Sequence, residues 1–217
     1  MTKHTPFADG LNSLNAGLVP SRDKNQTTSY VVPSYNRQQL TAMYRTSLAG
    51  RVVDQRAGDS FRKWREWQAE AVDISAIEAR EKRLGIKSKM EHAQKLANLY
   101  GVAYVVINLD DDEPDQPINF NRIRAGSIQN IAVLERGEIG EGPENIDALS
   151  DYYKTPEYYD IMTNNDAGIV RLHPDRVIPV FGVKRIDQWG GDSVLDRGMS
   201  ALKNLDATMA NVASLIW

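Results

Sequence analysis

The chain has 217 residues, of which 41% are hydrophobic and 25% charged, with a net charge of −3 and no cysteine. That balance suits one large or two small globular domains. It excludes disulfides and thiolate metal sites, and no run of about 18 apolar residues reads as a membrane span.

The charge is unevenly distributed. Residues 41–100 carry 12 Lys/Arg against 8 Asp/Glu, and residues 101–166 carry 4 against 14. An acidic middle cannot grip nucleic acid by neutralising phosphates. Residues 1–30 lack the basic start and apolar block of a secretory signal, so synthesis in a cytoplasm is expected. Residues 1–35, rich in Asn, Ser, Thr, Gly and Pro, read as an extended arm without a core of its own.

From Arg37 the pattern becomes helical. Leu40, Tyr44, Leu48 and Val52 recur every fourth residue beside Met43. Ala57, Phe61 and Trp64 extend that face, with Gly58 a possible break. "FRKWREW" (61–67) mixes aromatics with Arg and Lys; helical spacing favours buried Trp64 and Trp67 with solvated basic groups over a base-stacking surface. Two S-x-x-E capping boxes follow, Ser75 with Glu78 and Ser88 with Glu91. Gly85 and Gly101 close the two helices. The second helix turns Met90, Ala93, Leu96, Ala97 and Tyr100 to a core, and His92 lies beside that face.

"VAYVVINL" (102–109) is apolar and β-branched, as expected of a central strand. The run Asp110, Asp111, Asp112, Glu113 and Asp115 fails the EF-hand pattern and reads as a solvated turn with Pro114 and Pro117. Further strands are expected at 128–135, 157–162, 168–173 and 176–182, with Pro179 at an edge or strand end. Trp189, Gly190 and Gly191 form a hinge-like break, with Asp192 or Ser193 as N-cap of a last helix. In that helix Leu195, Leu202, Met209 and Ile216 are spaced by sevens, and Leu205 and Val212 share the seam. Helices, then strands, then a helix make an α+β order rather than a Rossmann alternation.

No catalytic constellation is visible. His4, His92 and His173 stand in separate contexts, and H-E-x-x-H, G-x-S-x-G, P-loop and G-x-G-x-x-G patterns are absent. "WGGDS" lacks a phosphate-binding Lys and places Asp192 where it would repel an anion. Catalytic residues, metal ligands and cofactor sites therefore remain unassigned, nothing in spacing alone argues for an enzyme, and the chain is expected not to be one.

Several stretches in order resemble the portal proteins of tailed bacteriophages and prophages, in the branch with phosphodiesterase-like relatives. They are the Tyr44-Arg45 helix with Trp64 and Trp67 after it, the Tyr100-Gly101 junction of helix to strand, the His173-x-x-Arg176 segment, and the joint Trp189, Gly190, Ser193, Leu195, which has one Gly more than the usual form. The resemblance covers roughly residues 28–217 and implies an N-terminal, wing-side portion. The implied fold is α+β, a portal-like wing domain with helices packed on a mixed or antiparallel sheet. It would occupy residues 36–190 after the arm 1–35, and residues 191–217 would begin a long stem-type helix.

The implied function is mechanical: a head–tail connector subunit forming a ring conduit for DNA packaging and ejection. The implied partners are copies of itself, about a dozen when full length, a terminase packaging motor, capsid and head–tail adaptor proteins, and double-stranded DNA in passage, with no membrane and no cofactor. Its implied place is the portal vertex of the virion, after synthesis in the host cytoplasm. Two rival readings remain. One is a phosphodiesterase acting on cyclic oligonucleotide immune signals, a chemistry expected to use two H-x-[ST] elements; His4 is followed by Thr-Pro, His92 by Ala-Gln and His173 by Pro-Asp. The other is a non-viral α+β interaction module.

Overall fold

The computed structural model describes residues 36–217 except 46, 69, 70, 112, 163–167, 187, 188, 197, 199, 200, 202, 203, 206, 207, 210, 213 and 215–217. The expected N-terminal arm, His4, Leu202 and Ile216 lie outside the described residues.

Four helices open this part of the chain: α1 (Arg37–Tyr44), α2 (Ser47–Phe61), α3 (Ala71–Leu84) and α4 (Ile86–Tyr100). Asn36 caps α1 in a reciprocal box: Gln39 N–H donates to Asn36 Oδ1 at 2.9 Å, and Asn36 N–H donates to Gln39 Oε1 at 3.0 Å. The fourfold spacing that reads as one helix is divided after Tyr44, whereas Gly58 lies inside α2 without breaking it. Both expected S-x-x-E boxes fall within helices. α3 starts at Ala71, and α4 starts at Ile86 from a left-handed Gly85 with φ 65°, where Ser88 Oγ donates to Gly85 O at 2.9 Å.

The strands are β1 (Val102–Leu109), β2 (Ile128–Glu135), β3 (Ile139–Glu141), β4 (Tyr159–Met162), β5 (Ile169–Leu172), β6 (Val177–Phe181), β7 (Val183–Lys184) and β8 (Gly191–Asp192). All the pairings are antiparallel. β1 is central in the order β2-β1-β6, as its continuous apolar run predicts. Pro179 sits opposite Tyr104 on the edge strand β6, where a missing N–H costs no ladder bond. A second sheet has the order β3-β4-β5, and β7 pairs with β8.

Alternation along β1 builds two of the three cores. Val102, Tyr104 and Val106 face Ile139, Tyr159, Leu172 and Val177, which joins the two larger sheets. Ala103 and Val105 face Leu84, Ala93 and Ala97, which seats α4 on the opposite side. Each fully buried Val or Leu in these layers contributes about 1.5–3 kcal/mol. The third core lies among the helices and contains Leu40, Ala49, Val53, Leu99 and Leu195. The result is an α+β body with helices on one face of the main sheet and the smaller sheet on the other.

Leu195 therefore lies inside the subunit, 1% exposed, rather than opening an outward seam. The described residues beyond Ala201 are helical, and Leu205, Met209 and Val212 are 46%, 64% and 49% exposed.

Candidate functional site

The segments singled out in the sequence fall at three places. The first is the His173–Arg176 turn. His173 Nδ1 accepts the Asp175 N–H at 3.2 Å, and its ring stands edge-on to Tyr152 with centroids 5.5 Å apart. Arg176 is 3% exposed, and it reaches into the acidic loop after β1. Its guanidinium donates to Asp111 Oδ1 at 2.7 Å and Oδ2 at 2.8 Å, to Glu113 O at 2.8 Å and to Gln116 O at 3.3 Å. The hydrogen bonds from Arg176 hold the Asp111 carboxyl below the usual carboxylate range. Asp175 ties the same loop to a third segment, accepting from Ile118 N–H and Tyr152 Oη. Asp110, Asp111, Glu113 and Asp115 are exposed, as a solvated turn predicts, and the addition is that Asp111 also pairs with the buried Arg176.

The second place is the joint at 189–195. Helix α4 ends with carbonyls that lack a partner within the helix. The joint supplies partners: Val194 N–H donates to Asn98 O at 2.9 Å, and Ser193 Oγ donates to the same oxygen at 3.2 Å. The Asn98 side chain is fully buried. Its Nδ2 donates to Val53 O at 3.2 Å, and its Oδ1 accepts from Gln94 Nε2 at 3.0 Å. Sequence reasoning missed Asn98; its only signal is one amide within the apolar run "LANLYG". Ser193 starts the next turn reciprocally, with Leu195 N–H donating to Ser193 Oγ at 3.1 Å and Ser193 N–H donating to Asp196 Oδ2 at 3.2 Å. Trp189 stands edge-on to Phe181 at 5.3 Å, and its Nε1 donates to Glu141 Oε1 at 3.2 Å. Glu141 Oε1 also accepts from the buried Tyr104 hydroxyl. Burial, more than that hydrogen bond, raises the Tyr104 pKa far above its ordinary value.

Glycine at 191 serves contact, not freedom. A Cβ added to Gly191 would lie 2.2 Å from Gly101 O, and one added to Gly101 would lie 2.3 Å from Gly191 O. The reading of a hinge-like break is corrected accordingly: β8 is buried at Gly191 and pressed on the end of α4.

Burial raises the pKa of Asp196, against the lowering effect of the Ser193 N–H; Asp192 raises it further and Arg185 lowers it. A raised folded-state pKa means that stability from this site is complete below the unfolded value and is lost as pH rises through the folded one. Asp196→Asn keeps an acceptor for Ser193. In paired urea titrations it is expected to gain on the parent between acid and neutral pH, and a constant difference would refute this.

The third place is the connector 62–68, which is irregular rather than helical. Trp64 Nε1 and Trp67 Nε1 both donate to Glu81 Oε2, at 3.3 and 3.5 Å. Arg65 pairs with Glu81, and its guanidinium lies 5.0 and 4.5 Å from the two indole centroids. Tyr44, from the same motif set, donates to Asp54 Oδ1 at 3.0 Å, while Arg45 is the exposed C-cap of α1. Tyr100 Oη meets Thr41 Oγ1 at 3.0 Å.

The motif residues thus fasten segments together, and the structure does not bring them to one point. Among the described residues, no group of His, Asp and Glu is arranged to hold a metal ion. None of their helices is long and apolar enough to cross a membrane.

A family model described as phage portal protein matches residues 38–217. The chain belongs to the phage portal protein family. Two curated relatives, from Sphingomonas paeninsulae and from Caulobacter sp. (strain RHG1), are each 33% identical to it over 97% and 96% of this chain, and both are named anti-CBASS protein Acb1. This portal-family chain spans 35% of the length of either relative.

The relatives' name corrects two expectations. A solely structural conduit subunit, and a protein that is not an enzyme, are both contradicted by relatives named as agents against CBASS and alike over nearly the whole chain. The first rested on the resemblance to portal proteins and the second on that and on missing catalytic motifs, in a chain that covers about a third of such proteins. What stands beside the correction is the coarser point that the chain comes from a phage family associated with oligomeric assembly.

Proposed function

We propose that this chain is the portal-type part of an enzyme that defeats cyclic-oligonucleotide immune signalling by hydrolysing the signal's phosphodiester bonds. The observation that carries this reading is the 33% identity, over 97% of the chain, to a protein named for acting against CBASS. The chemistry needs one group to take a proton from the attacking nucleophile and one to give a proton to the leaving oxygen. In this chain His92 is exposed and followed by Ala-Gln. His173 uses Nδ1 to accept the Asp175 N–H. The proton-transfer pair is therefore assigned to the part of the relatives' length that this chain does not span. This body supplies a rigid support and contacts between copies, and the enzyme works in the host cytoplasm, where its substrate is made.

The test compares two proteins by chromatography of cyclic di- and trinucleotides after incubation. A protein of the relatives' full length is expected to linearise them, and the 217-residue chain alone is expected to leave them intact. Intact substrate with the longer protein would refute the enzymatic reading. Turnover by the short chain would refute the placement of the catalytic pair.

A further inference from the structure

The connector 62–68 and the α3–α4 junction enclose a cavity of about 460 Å³, walled by Trp64, Arg65, Trp67, Lys82, Ile86 and Lys87. Its size falls within the range of small-ligand pockets, about 300–1,000 Å³. Two walls are flat and apolar, and they are held in place before any ligand arrives, because both indole N–H groups are spent on Glu81. Bound this way, the rings lose little freedom when something stacks on them. The Arg65 guanidinium between them is a further planar surface, and nucleobases stack on indoles and guanidinium planes alike.

The charges around the cavity sort themselves by pairing. Arg65 and Glu81 neutralise one another. Glu91 is engaged by Lys95 at 2.8 Å. The side chains of Lys82, Lys87 and Glu78 also line the cavity without a hydrogen bond or ion pair to another described residue, while the Glu91 pKa is lowered chiefly by Lys95 and further by the nearby Lys87 ammonium. The cavity therefore presents two ammonium groups against one uncompensated carboxylate, in a chain whose net charge is −3. Two amines beside aromatic planes complement a ligand with an anionic backbone and a flat base. The Glu78 oxygens are suited to accept from an exocyclic base amine.

We propose that this cavity binds one nucleotide unit of a cyclic oligonucleotide, with its base on the Trp67–Arg65 surface and its phosphate at Lys82 and Lys87. The identity of the ligand rests on the function proposed above, whereas the geometry does not. Binding is separate from the hydrolytic centre, so the cavity holds the signal near the enzyme and does no chemistry on it.

The experiment titrates cyclic di-AMP into the 217-residue chain by calorimetry. Saturable binding is expected, and the K82Q/K87Q double variant is expected to weaken it at least tenfold with an unchanged melting temperature. Both lysine side chains are exposed, and the neutral amide adds no like-charge pair with Glu78 or Glu91, so the variant keeps the fold. Absence of binding, or binding that the double variant leaves as strong, would overturn the inference. Hydrolysis by the longer protein is scored separately: turnover without binding here defeats only the cavity, and binding without turnover defeats only the enzymatic reading.

Discussion

Gly191→Ala is expected to destabilise the body by about 3 kcal/mol or more, at the upper end of what overpacking costs. The new Cβ would meet Gly101 O at 2.2 Å. That oxygen cannot turn aside like a side chain, because it also accepts the Gly182 N–H at 2.9 Å. Gly182 is confined in the same way, since a Cβ there would lie 2.2 Å from Ala97 O. Three backbones therefore converge at the C-terminus of α4. Gly58→Ala is the matched control. Nothing lies within 4 Å of an added Cβ in that helix, so the change is expected to stabilise by roughly 0.5–1 kcal/mol. Equilibrium urea unfolding reads both. A loss under about 1 kcal/mol for Gly191→Ala would mean that the two chain segments do not touch as described.

Arg176→Met is expected to cost about 1–3 kcal/mol, the range for removing a charged donor from the acceptors it satisfies. The methionine fills the space but leaves Asp111, Glu113 O and Gln116 O without their donor. Arg176→Lys should recover only part of the loss, because one ammonium cannot span both Asp111 oxygens and two carbonyls. The pH dependence has a definite sign. The folded-state pKa of Asp111 is depressed. Its contribution is therefore present above the unfolded value and is lost as pH falls through the folded one. The Asp111 side chain is 38% exposed, so solvent screens its share and most of the cost is the desolvated Arg176 network. Urea titrations at neutral and acid pH should show the parent losing ground to Arg176→Met as pH falls. Parallel curves would show that Asp111 is not the partner that matters.

How far the fold could be read in advance depended on whether a residue's partners lay close in sequence. β1 and β2 were legible because β-branched runs of that length fit a covered sheet, and Pro179 marked the edge strand correctly. The acidic run is exposed as expected, but the buried cation that anchors it was not legible, because Arg176 lies 65 residues beyond Asp111. "FRKWREW" kept a helical spacing, yet its two indoles converge on one carboxylate, Glu81, from an irregular segment. The α1–α2 break escaped notice because the apolar spacing runs across it, yet the face that α2 buries is Ala49, Val53 and Ala57, one residue on, and Leu48 and Val52 of the expected stripe are exposed. In "WGGDS" the absence of side chains signalled looseness, while the structure uses it for close approach. Leu195 shared the sevenfold spacing of Met209 but is claimed by the helical core. The candidate site was less legible than the fold. The cavity at Trp67 depends on Lys82 and Lys87, which look like ordinary surface charges until α3 and α4 fold back on the connector.

The grip of Asn98 on Ser193 and Val194 also has a mechanical side. Both bonds end on the backbone of α4, which is packed against β1. A pull or twist applied past Leu195 would load these hydrogen bonds and the touching peptide planes of Gly101 and Gly191. The segment beyond Leu195 is clamped at its root like a cantilever, and the main sheet behind α4 is its anchorage.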